Sequence, residues 1–158
     1  MELQALHQAS GRRFALVVSS FNKEITDGLF RGAHATLLEA GVNSSDITTV
    51  RVPGAFEIPL AARRLAVSAR YDAVVCLGCV IKGDTMHFEF IAEAVSHGIM
   101  AVSADTGVPV TFGVLTTLTE EQAAARAADG PDNKGREAAL AAVEMVTIVQ
   151  AIEGLGQA

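Results

Sequence analysis

Unbroken apolar runs alternate with longer stretches of helical periodicity along this chain, and that alternation narrows its possible folds more than any other feature. Phe14 to Ser19 reads Phe-Ala-Leu-Val-Val-Ser, a strand that needs cover on both faces. The spacing then predicts a helix from Ile25 to Ala40, ended by Gly41 at the C′ position. Ile47 to Val52 is a second strand, stopped by Pro53-Gly54. Phe56 to Ala69 is a second helix, in which Pro59 is tolerable only in the first turn. Tyr71 to Ile81 holds a third strand and Thr85 to His97 a third helix. Ile99 to Ala104 is expected as a fourth strand, with Val110 to Thr116 an extended run after Pro109. Thr119-Glu120-Glu121-Gln122 has the form of a capping box and opens a helix to about Ala128. Asp129-Gly130-Pro131-Asp132-Asn133 breaks that helix, and a last one runs from about Lys134 to Ile152.

Buried strands separated by helices define an α/β architecture, a parallel sheet covered on both faces. In such sheets ligands bind beyond the carboxyl ends of the strands. Ser20-Phe21-Asn22, Pro53 to Glu57, Ile81 to His87 and Ala104 to Val108 are therefore expected to gather at one edge.

The most informative of these loops is Gly78-Cys79-Val80-Ile81-Lys82-Gly83-Asp84-Thr85-Met86-His87. A strand ends in a glycine-bearing turn and a helix begins, so unpaired N–H groups and the helix dipole favour an anion there. Gly83 allows close backbone approach, and Asp84 and Thr85 are residues of the capping type, so an ordinary helix cap is an equal reading of these three alone. His87, one turn into the expected helix, is the side chain suited to moving protons near neutral pH. An anion seat beside a proton shuttle points to chemistry on a small phosphorylated compound. Phe21 at the tip of the first strand can stack on a planar ligand or cap the core. Glu57, between Phe56 and Ile58, can accept from ligand hydroxyls or serve a helix dipole. Arg126 and Lys134 flank the breaker between the last two helices, and nothing local brings them near His87. His7, His34 and His97 read as tail, surface and helix-end histidines.

Composition limits the alternatives. The chain has 158 residues, half of them hydrophobic, and four prolines with no Gly/Ser-rich tract, which is one domain, 1–158, with ample core. A net charge of −6 with scattered cations argues against a nucleic-acid partner. Met1 to Ser10 is polar, and no window is expected to supply the ~18–20 apolar residues of a membrane span, so a cytoplasmic protein is expected. A mean hydropathy of +0.34 implies that part of the surface lies between subunits. Cys76 and Cys79 form a C-x-x-C, but inside a strand they point to opposite faces. With no second Cys/His pair, they are expected to be buried structural thiols rather than a redox pair or metal site.

Several separate motifs, in order, carry a family resemblance. They are Phe21-Asn22 with Ile25-Thr26, Val52-Pro53-Gly54-Ala55-Phe56-Glu57-Ile58-Pro59, and Gly78 to Phe88. Pro109 to Thr116, Glu121-Gln122-Ala123 with Arg126, and Asn133-Lys134-Gly135 follow. From about Phe14 to Ala151 the chain resembles the lumazine synthases, which act at the penultimate step of riboflavin biosynthesis. The resemblance implies a flavodoxin-like three-layer sandwich around a four-stranded parallel sheet, and no metal or organic cofactor. It implies condensation of 5-amino-6-(D-ribitylamino)uracil with 3,4-dihydroxy-2-butanone 4-phosphate to give 6,7-dimethyl-8-ribityllumazine, phosphate and water.

By position, Phe21, with Asn22 beside it, resembles the aromatic that stacks on the pyrimidine. Ala55, Phe56 and Glu57 resemble the segment that holds the ribityl chain, and Cys79, Val80 and Ile81 the strand end whose backbone reads the pyrimidine edge. Asp84 and Thr85 fall where the phosphate is held by backbone N–H groups, with the Asp84 side chain expected to face outward as a cap. His87 matches the proton donor and acceptor. Phe112 and Arg126 correspond to residues of the adjacent subunit, and Lys134 to a lysine near the ribityl hydroxyls. The resemblance further implies pentamers, with a closed icosahedral shell favoured over a free pentamer or decamer and residues 1–12 available to pair with a neighbour. Two other readings are a noncatalytic flavin- or lumazine-binding shell protein and an archaeal-type riboflavin synthase. A receiver domain shares the sheet pattern, but Ser20-Phe21-Asn22 stands where it needs an acidic pair.

Overall fold

The continuous apolar runs become the interior strands of a sheet. A computed structural model describes residues 1–156 of the chain and contains β1 (Phe14–Ser19), β2 (Ile47–Val52), β3 (Ala73–Ile81) and β4 (Val110–Thr117). They pair in parallel in the order β2-β1-β3-β4. β1 is buried along its whole length because β2 and β3 flank it and helices cover both faces. β2, at the edge, alternates in exposure, with Arg51 outward and Val52 inward.

Five α-helices form the outer layers: α1 (Lys23–Glu39), α2 (Ile58–Ala66), α3 (His87–Thr106), α4 (Glu120–Ala127) and α5 (Lys134–Leu155). α1, α4 and α5 pack on Phe14, Leu16 and Val18 of β1 and Val75, Leu77 and Cys79 of β3. α2 and α3 cover the opposite side, on Ala15, Val17, Val74 and Cys76. The result is the covered parallel sheet that the alternation predicted, in the flavodoxin-like form that the resemblance implied. Cys76 and Cys79 fall in opposite layers, both as free thiols.

The expected strand at Ile99–Ala104 is instead the second half of α3. A short apolar run cannot be told from a buried helical segment by periodicity alone. Here Val95, Ile99 and Val102 are the buried residues, one helical face. Gly98 is no breaker, since a Cβ there would lie 2.8 Å from the Pro59 ring, so it marks the contact of α3 with α2. The helix ends at Gly107, which takes φ 71° and returns its N–H to the Ser103 carbonyl at 3.0 Å. Two expectations change with it. His97 lies in mid-helix rather than near an end, and Ala104 to Val108 lie at the amino end of β4, away from the ligand edge. The Val74 N–H meets the Pro109 carbonyl at 2.9 Å there. The fourth member of the carboxyl edge is Thr117, whose carbonyl accepts from the Lys82 N–H at 2.9 Å.

The helix expected from Phe56 begins with a 3₁₀ turn, Ala55–Glu57, before α2 proper, with Pro59 in the first turn as required. α5 also corrects the sequence reading, because an 18-residue window within it reaches a mean hydropathy of 1.6, long and apolar enough to cross a membrane. It packs against α1, β3 and β4 as a layer of the sandwich. Its inward face is small, built from Gly135, Ala138, Ala139, Ala142, Val143 and Val146, and leaves Met145, Ile152 and Leu155 exposed.

Candidate active site

A cavity of about 380 Å³ opens beyond the carboxyl ends of β1, β2 and β3, with Phe21, Glu57, Val80, Thr85 and His87 in its wall. The rest of the lining is Gly54, Ala55, Phe56, Cys79, Ile81, Gly83, Phe88 and Ile91. A larger recess of about 560 Å³ lies between Thr36, Glu39 and Arg136. Its main charges are already satisfied, with Arg136 donating to Glu39 at 2.6 Å.

Each wall has a local cause. β1 ends at Ser19, and Asn22 takes a left-handed conformation, φ 55° and ψ 52°, before α1 starts. Its Nδ2 donates to the Cys79 carbonyl at 3.1 Å, so Asn22 joins the tips of β1 and β3. Asn22 therefore does not line the cavity, and Phe21 beside it projects with 69% of its surface exposed. Gly54 keeps room for Glu57, since a Cβ there would lie 3.2 Å from the carboxylate.

The third wall is the turn between β3 and α3. His87 is the first residue of α3, rather than one turn into it, and Met86 is the N-cap with no side-chain cap bond. The Thr85 hydroxyl accepts from the His87 N–H at 3.4 Å, a long contact. Among the described residues, the N–H groups of Gly83, Asp84, Thr85 and Met86 donate to no protein acceptor. Two of the four, Gly83 and Thr85, lie in the cavity wall beside the α3 N-terminus, where free backbone donors favour an oxyanion. A Cβ on Gly83 would meet nothing within 4 Å, so that backbone faces open space. Asp84 is exposed and outside the lining, and the capping role expected of it is not taken up.

Phe112, Arg126 and Lys134 do not reach this cavity. They line a separate recess of about 300 Å³ along the outer edge of β4. The two linings share no residue. Asn133, buried with 1% of its surface exposed, sets that second cluster. Its Nδ2 donates to the carbonyls of Gly28, Ala127 and Ala128, and its Oδ1 accepts from the N–H groups of Gly135 and Arg136. Arg126 at the end of α4 and Lys134 at the start of α5 are thus held on one edge. The sequence marked Asn133 as part of a breaker and of the Asn133-Lys134-Gly135 motif, but not as the residue that ties α1, α4 and α5 together.

Neither thiol is poised for reaction. Burial raises the Cys79 thiol to about 11 and pushes Cys76 higher still. Both are protonated at neutral pH, so the cavity has Cys79 as an apolar wall. No cluster of three His, Cys, Asp or Glu side chains able to hold a metal occurs among the described residues.

The fold and the site define a class: an α/β sandwich protein with free backbone amides and a histidine around a cavity at the carboxyl edge of a parallel sheet. Comparison with known proteins narrows it. The family model described as 6,7-dimethyl-8-ribityllumazine synthase matches residues 11–150. The chain is 51% identical over 146 residues to a protein of that name from Desulfotalea psychrophila, covering 92% of this chain and 94% of the relative. Another, from Salinibacter ruber, is 50% identical over 144 residues, 91% of this chain and 92% of its own length. A third, from Syntrophus aciditrophicus, is 51% identical over 144 residues, 91% and 94% of the two chains. The chain belongs to the 6,7-dimethyl-8-ribityllumazine synthase family.

Proposed function

We propose that this chain is an enzyme that condenses 5-amino-6-(D-ribitylamino)uracil with 3,4-dihydroxy-2-butanone 4-phosphate. The reaction passes through an imine, eliminates phosphate and closes the ring to 6,7-dimethyl-8-ribityllumazine. The observation that supports this reading best is the juxtaposition of free backbone donors at Gly83 and Thr85 with His87 and an aromatic, Phe21, around one cavity. An aromatic face suits a pyrimidine, the Glu57 carboxylate suits ribityl hydroxyls, and the amide seat suits a phosphate dianion. The aromatic amine of the uracil is already unprotonated at neutral pH, so imine formation needs no strong base. Holding two reactants together supplies much of the rate. His87 moves the protons that imine formation and phosphate departure require.

The separation of the two clusters supports a site shared between neighbours. Phe112, Arg126 and Lys134 of one subunit close the cavity of the next, with the Arg126 guanidinium on the phosphate. Exposed Leu60, Phe90 and Met100 on α2 and α3, with Met145 and Ile152 on α5, fit an assembly that buries them. The assembly is a pentamer or a closed shell of pentamers. Residues 1–12 add to a neighbour, for which the unpaired edge of β2 is suited. The free thiols Cys76 and Cys79 fit a reducing cytoplasm.

The test is to mix the purified protein with both substrates and follow the fluorescence of the lumazine. Product from the pair, and none from lumazine alone, is expected. Tight binding without turnover would favour a carrier, and product from lumazine alone a riboflavin synthase; the family match favours neither.

A further inference from the structure

Beside the Gly83–Met86 turn, outside the cavity lining, stands an ion pair that the assigned roles do not use. Lys82 follows the last residue of β3, and Glu89 lies in the first turn of α3, two residues after His87. Their side chains meet across the Gly83–Met86 turn, with Nζ to Oε1 at 2.6 Å. Neither residue lines the cavity, although Ile81, Gly83, His87 and Phe88 beside them all do. Lys82 is anchored through its N–H on the Thr117 carbonyl.

The charges around this turn are unbalanced. Between Arg70 and Arg126 the sequence has no Lys or Arg other than Lys82, whereas Asp84, Glu89 and Glu93 all fall within the turn and the start of α3. The Lys82 hydrogen bond, followed by the Glu89 N–H itself, holds the Glu89 carboxyl below the usual carboxylate range. Glu89 is therefore fully ionised at neutral pH. Its second oxygen, Oε2, is buried without a hydrogen-bond partner. A carboxylate in the first turn of a helix steadies the helix dipole, but it also opposes an anion bound to the same turn.

We propose that Lys82 is a positioning residue for the phosphorylated substrate, which it serves by neutralising Glu89 beside the seat so that the Gly83 and Thr85 amides can accept a dianion. This rests on the seat assigned above. A charge-balancing role differs from a simple brace in the sign of its effects. A brace is broken equally from either end. A counter-charge is not, because removing Lys82 leaves an extra negative charge beside the phosphate, while neutralising Glu89 removes one.

Steady-state kinetics with both substrates distinguish the two. Lys82→Met is expected to raise KM for the butanone phosphate about three- to five-fold, the size of an exposed charge contact, with much smaller changes in kcat and in KM for the uracil. Glu89→Gln is expected to lower that KM about two-fold, by the same reasoning. The double variant returns toward the wild-type value, Lys82→Arg restores it, and the differences shrink at high salt. A rise in KM with both single variants, or no response to Lys82→Met, would overturn the proposal. If Lys82→Met does not fold, Glu89→Gln decides alone, and an unchanged or raised KM rejects the idea. His87→Ala serves as the control on the proposed reaction at this site. Unaltered kinetics there would refute that reading and this role together, whereas a normal His87→Ala loss with an unresponsive Lys82 refutes this role only.

Discussion

At the scale of single residues, His87 and Arg126 are predicted to fail in different ways. His87→Ala should lower kcat by about 10²-fold or more yet leave measurable turnover, because proximity continues to act without the proton shuttle. A complete loss in a folded variant would show proximity to be the minor contribution. Arg126→Ala should raise KM for the butanone phosphate much more than KM for the uracil, and equal effects on both would count against a phosphate role. Cys79 makes a prediction about pH. Its thiol titrates near 11 in the fold against an ordinary 9.0, so the unfolded chain loses this proton first. The stabilising contribution of the buried neutral thiol is therefore complete below pH 9 and is lost as pH rises from about 9 to about 11. Denaturant midpoints measured across that range should fall, and Cys79→Ala should flatten the part of the decline that Cys79 causes.

At the scale of elements, the junction of α4, α5 and α1 decides where Arg126 and Lys134 stand. A Cβ on Gly135 would overlap the Leu29 carbonyl, and one on Gly32 would overlap the Asn133 amide. These glycines let α5 and its N-cap residue lie directly on α1. Gly135→Ala is expected to destabilise the fold by about 1–3 kcal/mol through forced separation of the helices. Asn133→Ala is expected to cost about 3 kcal/mol, because it leaves buried carbonyls unpaired and removes the cap of α5. Chemical unfolding checks both. Asn133→Ala should also weaken the phosphate substrate, as Arg126 and Lys134 lose their common edge.

For the whole molecule, a shared site predicts complementation. Neither His87→Ala nor Arg126→Ala subunits alone retain a full site. Co-refolded in equal amounts, they form interfaces in which one neighbour supplies His87 and the other Arg126. Random cyclic mixing places about a quarter of sites in that state, so activity should recover toward a quarter of wild type. No recovery in verified mixed assemblies would place each site within one chain. Native mass measurement should give five 16.5 kDa chains or a multiple.

Some of this was readable from residues alone. The Gly78–His87 turn, the Pro53–Glu57 loop and Phe21 announced themselves because glycine, cap residues and an aromatic stand where buried strands end. α3 was misread because Ile99 to Val102 is apolar on every residue, and so short a run has no period to distinguish. The bonding role of Asn133 and the Lys82–Glu89 pair were invisible for another reason: their meaning lies in partners reached only after the chain folds back.

The order of residues thus determined by itself the α/β class, the sheet buried on both faces and the loop holding His87, since burial and capping act over a few neighbouring positions. Only the tertiary structure decided that Ile99 belongs to a helix and that Asn22 ties two strand tips together. It alone put Arg126 and Lys134 on an edge apart from His87. Those outcomes depend on which distant surfaces pack, and local preference cannot encode that.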